Sequence, residues 1–289
     1  MAFSLRLAVA ADQPAIAAFT TDTFTWGDYV ADAFVAWLAD PNVRLIVAVD
    51  ETDAAVAMGA GRMLSEDELW LQAARVHPDW RRQGIASAID AELEEWGRGR
   101  GAVVSRLAVE DWNDAAMAQV ERMGMRRTTE WTAAARQAPR SARPSGNGGR
   151  RRPARDVLDQ APSAEASPAF MAWTTSELGR AARGLVAVSW TWRRLHPVDL
   201  ERAARAQALW VSSAGWVMAA VDGDRLESGW MSGGPEELPD LLEAVTDLSR
   251  ELGTDRIEVK LPALPWVVEA LDRTGFAQHH RAWLFTKGL

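Results

Sequence analysis

The hydrophobic positions of the first 135 residues switch between the period of a strand and the period of a helix. Strand-like runs cover FSLRLAVA, VRLIVAVD, AAVAMGAGRML, LWLQAARVH, AVVSRLAVE and residues 125–135. Helical periodicity covers the segment after Asp12, which we expect to cap that helix, then residues 28–39, residues 83–98 and NDAAMAQVERMG. The pattern predicts an α/β fold with a mixed sheet and the element order β-α-α-β-β-β-α-β-α-β.

The second half of the chain repeats part of this order. ALWVSSAGWVMAAVDGDRLESGWMS predicts three strands, residues 236–252 a helix, DRIEVKL a strand, PWVVEALDRTGF a short helix and AQHHRAWLFTK a closing strand. Two weakly similar copies indicate a tandem repeat. Residues 137–168 are rich in Pro, Gly, Ser and Arg, which is typical of a linker. The predicted domains are therefore residues 1–136 and 169–289.

Composition excludes several classes of chemistry. The 289 residues include no cysteine, so there is no disulfide scaffold, thiolate metal site or cysteine nucleophile. The four histidines have no metal-ligand spacing, and we expect no metal. No apolar run approaches the roughly 18–20 residues of a membrane helix, and the N-terminus lacks the features of a signal peptide. We therefore expect a cytoplasmic protein with no membrane partner.

The net charge of −8 is unevenly distributed. The first 135 residues carry −9, which argues against nucleic acid as a partner because phosphate contacts need a basic surface. The same acidity is compatible with a cationic small substrate. Arg150, Arg151 and Arg152 stand in the predicted linker, where no aromatic residue is interleaved with them, so we interpret this segment as a solvated tether.

The segment VHPDWRRQGIA carries the clearest chemical signal. A predicted strand ends at Val76, Pro78 turns the chain, and a helix follows. Gly84 lets a ligand approach the backbone closely, the helix N-terminus leaves N–H groups unpaired, and Arg81 and Arg82 add positive charge. Such a turn is suited to hold a pyrophosphate group.

This segment resembles the acyl-CoA pyrophosphate loop of the GNAT superfamily, (Q/R)-x-x-G-x-(G/A). NDAAMAQVERMGM is similar to the family's helix motif N-x-x-A-x-x-x-Y-x-x-x-G-F, although Asn113 fits a helix cap equally well. The resemblance implies two GNAT-like domains in tandem and acetyl-CoA as co-substrate, without a metal. The cofactor-binding residues that it implies are Val76, Arg81, Arg82, Gln83, Gly84, Ile85, Ala86, Asn113 and Ala116.

The same resemblance leaves the proton-transfer groups open. Val120 stands where the family often has a tyrosine that protonates the departing CoA thiolate, so the general acid is unknown. An amine that attacks the thioester must lose a proton. The candidate base is Glu110, with Asp111, Glu66 and Glu68 as alternatives.

The resemblance also places the thioester and the acceptor. A backbone N–H between Ala74 and Val76 would polarise the thioester carbonyl. Trp26 and Tyr29 stand where family members build the acceptor wall, and Trp112 is a further aromatic candidate for substrate contact.

The second copy lacks the corresponding chemistry. Where a pyrophosphate loop would stand, the chain reads GGPEELPDL, with no arginine and three acidic residues that would repel phosphate. We expect a degenerate domain that shapes the acceptor cleft or stabilises the first domain. The predicted function is N-acetyl transfer from acetyl-CoA to a small-molecule amine. The alternatives are an acyl-CoA-binding pseudoenzyme or sensor without turnover, and a purely structural scaffold.

Overall fold

The described residues form two compact units, and neither is continuous in sequence. A computed structural model of the chain describes residues 2–21, 23, 27–138 and 157–289. The first unit comprises Met1–Ala108, Ala115–Arg127 and Phe285–Leu289, and the second comprises Val109–Asp114 and Thr128–Leu284. The end of the chain therefore belongs to the first unit.

Up to residue 137 the chain follows the predicted order of elements, which is confirmed. These elements are β1 (Ser4–Leu7), α1 (Gln13–Thr20), α2 (Val30–Ala39), β2 (Val43–Val49), β3 (Ala55–Met63), β4 (Glu68–Val76), α3 (Ile85–Gly99), β5 (Val104–Glu110), α4 (Asp114–Arg122) and β6 (Arg126–Gln137). In the first unit the strands lie in the order β1-β2-β3-β4-β5. Neighbouring strands are antiparallel except β4 and β5, whose parallel register runs from Glu68↔Val104 to Trp70↔Arg106.

Helix α3 packs closely on the sheet of the first unit because glycines remove side chains from the contact. A Cβ at Gly59 would lie 2.6 Å from Cγ2 of Ile89, and one at Gly97 would lie 2.8 Å from Cδ2 of Leu69. Ile89 and Leu93 lie on the apolar stripe of this helix and are buried. The close packing fixes the start of α3 next to the end of β4.

The same helix also buries two acidic side chains that its apolar stripe does not predict. Asp90 and Glu94 are about as buried as the core residues around them. Glu94 accepts hydrogen bonds from Oγ of Ser105 at 3.0 Å and from Nζ of Lys287 at 2.6 Å. Burial and the charge of Glu94 together raise the pKa of Asp90 to about 7, against the opposing effect of Lys287.

The second unit repeats the predicted order and adds elements that were not predicted. These elements are β7 (Asp159–Gln160), α5 (Ala166–Thr175), α6 (Glu177–Ala181), β8 (Leu185–Val188), β9 (Thr191–Arg194), α7 (Pro197–Arg205), β10 (Leu209–Ser212), β11 (Gly215–Asp222), β12 (Arg225–Ser232), α8 (Leu238–Glu251), β13 (Arg256–Pro262), α9 (Pro265–Arg273) and β14 (Ala277–Gly288). Its strands lie in the order β14-β6-β13-β12-β11-β10-β7, with β12 and β13 parallel. Strands β8 and β9 form a separate antiparallel pair.

Only part of the predicted linker can be compared with the structure. Residues 139–156, which include Arg150, Arg151 and Arg152, lie outside the described residues. From residue 157 the chain carries β7 and the start of α5. The domain boundaries at 136 and 169 stay a prediction. In the described part of the chain, no helix is long and apolar enough to cross a membrane, and the cytoplasmic location stays a prediction.

A hydrogen-bonded motif occurs once in each unit. In the first, Asp12 accepts two hydrogen bonds from the guanidinium of Arg6, both at 2.8 Å, and one from the Val9 amide at 2.8 Å. The expected helix cap is therefore wrong. The carboxylate of Asp12 bonds to residues that precede it in the chain and makes no cap hydrogen bond to α1. This arrangement fastens β1 to the start of the first helix.

The second unit has the same motif at the same spacing. Asp199 accepts from the guanidinium of Arg193 at 2.8 and 3.0 Å and from the His196 amide at 2.8 Å. Strand β9 and helix α7 therefore correspond to β1 and α1, and the repeat begins earlier in the second copy than its strand pattern alone indicates.

Replacing Asp12 by Asn is expected to lower the free energy of unfolding by about 1–3 kcal/mol at pH 7. Burial alone would raise the pKa of Asp12, but the hydrogen bonds from Arg6 and from the Val9 amide outweigh it, so this pKa lies below its ordinary value. The stabilisation is then present above the unfolded-state pKa of about 3.9 and disappears as the pH falls through the folded-state value. Urea unfolding of both proteins at pH 7 and under acidic conditions measures the change.

Asp53 provides the matched control. Its carboxylate accepts from Nε of Arg6 at 2.8 Å, but its side chain is 72% exposed. Asp53→Asn is expected to cost less than about 1 kcal/mol, as exposed ion pairs do. Equal losses in the two variants, or an Asp12→Asn loss that is independent of pH, would contradict this account.

Replacing Asp90 by Asn removes a buried carboxyl group that keeps its proton up to about pH 7. A folded-state pKa above the unfolded value of about 3.9 means that the penalty for ionising Asp90 grows as the pH rises from about 4 to 7. We expect the melting temperature of Asp90→Asn to exceed that of the wild type at pH 8 and to match it at pH 4. Glu92→Gln, at an exposed position of α3, is the control, and a gain shared by both variants would contradict the prediction.

Candidate functional site

The loop between β4 and α3 is held in place by its own hydrogen bonds. After Val76, Pro78–Trp80 form one turn of 3₁₀ helix, in which Nδ1 of His77 accepts from the Asp79 amide at 3.2 Å. Nε of Arg81 donates to the carbonyl oxygen of Val76 at 3.2 Å. These bonds connect the turn to the end of β4, so the loop follows the strand that the close packing of α3 already fixes.

Two residues of the loop have left-handed backbone conformations. Arg82 has a φ of 63° and Gly84, which precedes α3, has a φ of 79°. A Cβ at Gly84 would meet no atom within 4 Å. The requirement for glycine therefore comes from the backbone conformation and not from crowding by the protein. The surface above Gly84 is open to a ligand.

A run of backbone amides at the start of α3 takes no part in the hydrogen bonds of the helix. Among the described residues, no protein group accepts from the N–H groups of Arg82 to Ser87, and the first bond into the helix is donated by Ala88 to the carbonyl of Gly84 at 3.0 Å. The side chains of Arg81 and Arg82 are exposed beside them. Consecutive free amides at a helix N-terminus, flanked by guanidinium groups, form a cradle for an anion. These residues fit the pyrophosphate of acyl-CoA.

Strand β4 is irregular just before this loop. Its register with β3 shifts so that Ala73 and Ala74 lie opposite the single residue Gly59, and Ala73 has a φ of 58°. Such a bulge turns backbone N–H groups out of the ladder. The parallel pairing of β4 with β5 ends at Trp70↔Arg106, and Ala108 continues β5 without a partner on β4. Next to the loop, β4 is therefore bulged and no longer paired with β5.

The predicted site residues are divided between the two units. Val76, the loop from Arg81 to Ala86, Tyr29 and Ala116 belong to the first unit. Glu110, Trp112 and Asn113 belong to the second. Trp26 lies outside the described residues.

Glu110 has a partner that the sequence does not reveal. Its Oε1 lies 3.2 Å from Nδ1 of His280, and the two side chains are 24% and 31% exposed. The His280 ring also packs edge-on against Trp190, with ring centroids 5.4 Å apart. A carboxylate at Nδ1 orients an imidazole and makes Nε2 the proton-accepting atom. No local motif connects residues this far apart in sequence, so only the fold brings them together.

The structure also places the other candidates for the general acid and the general base. Glu68 is buried and paired with Arg106, which makes it part of the core. Glu66 and Asp111 are exposed. Val120 is buried on α4, so the helix face that carries the family's tyrosine contributes an apolar side chain to the core here.

The second unit closes its corresponding loop with a carboxylate of its own. The Gly234 amide donates to Oε2 of Glu237 at 3.0 Å, immediately before α8. A Cβ at Gly233 would lie 2.8 Å from Cδ1 of Leu241, so the loop is packed onto its helix. This end of α8 carries an internal negative charge where the first unit has arginines.

Comparison with known proteins finds a family model that matches part of the chain. Residues 13–125 match the model of the acetyltransferase (GNAT) family, whose members transfer an acyl group from acyl-CoA. The match includes the whole β4–α3 loop. A search of curated proteins finds no match for the chain.

Solved structures share the fold along the whole chain. A GCN5-related N-acetyltransferase from Sphaerobacter thermophilus is 17% identical, with 99% of this chain and 95% of that chain covered and a TM-score of 0.67. A tandem GNAT protein from the clavulanic acid biosynthesis pathway is 16% identical, with 99% and 98% covered and a TM-score of 0.55. Residues 13–125 are therefore a GNAT acetyltransferase domain, in a chain whose fold is that of tandem GNAT proteins.

Proposed function

We propose that this protein is an N-acetyltransferase that moves an acetyl group from acetyl-CoA to the amine of a small molecule by direct attack in a ternary complex. The observation that carries the proposal is the run of free amides from Arg82 to Ser87, flanked by exposed arginines, inside the segment that matches the family. Any helix leaves its first amides unpaired, but here two exposed arginines flank them and the surface above Gly84 is open.

The chain's own residues supply binding and polarisation. Arg81, Arg82 and the loop amides hold the pyrophosphate, with Gln83, Ile85 and Ala86 completing the turn. Acetyl-CoA supplies a thioester carbonyl that an amine can attack without a covalent enzyme intermediate. The irregular end of β4, from Ala73 to Val76, offers backbone N–H groups to the carbonyl oxygen on which negative charge develops.

Proton transfer is assigned to Glu110 acting through His280. An amine with a pKa near ~10 is mostly protonated at neutral pH, so a base must first take a proton and free the nitrogen lone pair. The C–N bond then forms, the C–S bond breaks and CoA leaves as the thiolate. Glu110 orients His280, and Nε2 of His280 accepts the proton. Val120 has no proton to give to the CoA thiolate, which is a fair leaving group at neutral pH. Asn113 and Ala116 stay proposed contacts to the cofactor, and Trp112 and Trp26 stay proposed contacts to the acceptor.

We propose that the second unit binds no acyl-CoA, because Glu237 occupies the amide of Gly234 and its charge repels phosphate. The alternative for the whole protein is an acyl-CoA-binding sensor without turnover, which the valine at position 120 favours. The two functions share the loop and differ in whether any amine is acetylated.

Binding of acetyl-CoA is expected to raise the melting temperature of the wild type. A ligand at about 100 times its Kd adds about 2.7 kcal/mol to the free energy of unfolding of the domain that binds it. Arg82→Glu places a negative charge beside the free amides and is expected to abolish the shift. Arg122→Glu, at an exposed position of α4, makes the same charge change and is expected to keep it. A shift of equal size in all three proteins, or none in the wild type, would contradict the proposed cofactor site.

His280→Gln is expected to lower kcat by about 10²-fold for whichever amine of a panel is acetylated, which is typical of the loss of a general base. Its thermal shift with acetyl-CoA should match that of the wild type. Glu110→Gln should lower kcat less, because the imidazole remains. His196→Gln is the control and should keep full activity. Binding of acetyl-CoA without acetylation of any amine would favour the sensor, and full activity of His280→Gln would refute its role.

A further inference from the structure

The only tyrosine of the chain stands between an arginine and a tryptophan in the first unit. Tyr29 precedes α2 and is 45% exposed. The guanidinium carbon of Arg75 lies 5.9 Å from its ring centroid, and the Trp37 ring packs edge-on against it, with centroids 5.9 Å apart. The ring is therefore held from two sides while almost half of its surface faces outward.

Its neighbour Asp28 makes the ion pair that sets this geometry. The side chain of Asp28 is only 2% exposed. It accepts from Nε of Arg75 at 2.6 Å and from Nη2 at 3.3 Å, and it also accepts from the Val30 amide at 3.0 Å. One carboxylate thus joins the start of α2 to β4.

Arg75 also adjoins the cofactor loop. It is followed by Val76, whose carbonyl oxygen accepts from Arg81. The bulged end of β4 leads into the loop. Asp28 connects the segment that contains Tyr29 to this same end of the strand. Burying an ion pair costs desolvation energy, and apolar side chains would join these elements with similar stability. The pair gives instead a fixed direction to a planar guanidinium.

We infer that Asp28 and Arg75 are positioning residues that hold Tyr29 as the wall against which the acceptor binds. This rests on the proposed function. The carboxylate of Asp28 is already neutralised by Arg75, and the guanidinium lies near the ring, so a polycation is disfavoured at this wall. The acceptor class is an amine attached to a flat apolar or aromatic body, which the exposed ring surface can contact.

The kinetic test compares two ion pairs of α2. Asp28→Asn and Arg75→Lys are expected to raise the KM for 2-phenylethylamine about 10-fold or more, as misplaced contacts do, with unchanged binding of acetyl-CoA. Arg75→Lys keeps the positive charge but lacks the planar guanidinium. It therefore tests the geometry of the ion pair even if Asp28→Asn does not fold. The control is Asp40→Asn, because the Asp40–Arg62 pair joins the other end of α2 to β3 at 3.1 Å. Wild-type KM in both test variants, or a lower KM for spermidine than for 2-phenylethylamine, overturns the inference.

The single tyrosine makes a second test independent of turnover. Incorporation of 3-fluorotyrosine gives one ¹⁹F resonance, from position 29. We expect 2-phenylethylamine to shift this resonance in the wild type and in Asp40→Asn, and spermidine to leave it unchanged. In Arg75→Lys the free-state resonance should move and the response to the amine should be lost. If 2-phenylethylamine does not shift the wild-type resonance, the inference is overturned. If the ¹⁹F response is intact but acetyl-CoA gives no thermal shift, the result counts against the proposed function alone.

Discussion

The candidate site depends on the backbone amides that a helix cannot satisfy at its own N-terminus. The first N–H groups of any helix lack partners within it, and in α3 those from Arg82 to Ser87 donate to no protein group among the described residues. Their direction is fixed because glycines at 59 and 97 let α3 lie close on the sheet. A side chain at either position would shift the helix and the anion cradle with it.

The two units use one scaffold with opposite electrostatics. Each has the Arg–Asp motif between a strand and the helix that follows it, and each contains a pair of parallel strands. Each also has an acid–base pair across those strands, Glu68 with Arg106 and Glu227 with Lys260. The difference lies in a short loop, where the first unit has arginines and the second has the carboxylate of Glu237.

The buried charges show how far hydrophobic patterning reaches. Periodicity predicted the face of α3 that carries Ile89 and Leu93, and both are in the core. Periodicity does not indicate that Asp90 and Glu94 of the same helix are buried as well. Their partner Lys287 comes from the end of the chain. A pattern that counts only local neighbours cannot place a charge whose partner comes from a distant strand.

The sequence by itself determined the order of elements in the first unit, the repeat of that order and the position of the candidate anion-binding loop. These features depend on local physics: side-chain periodicity, the conformational freedom of Gly84 and the unpaired amides that follow it. The contacts between residues far apart in the sequence were decided only by the tertiary structure. It brings His280 next to Glu110, pairs Asp12 with Arg6, and connects Tyr29 to β4 through Asp28 and Arg75. Residues far apart in the chain meet only after the sheet and helices have packed, so no window of sequence contains these contacts.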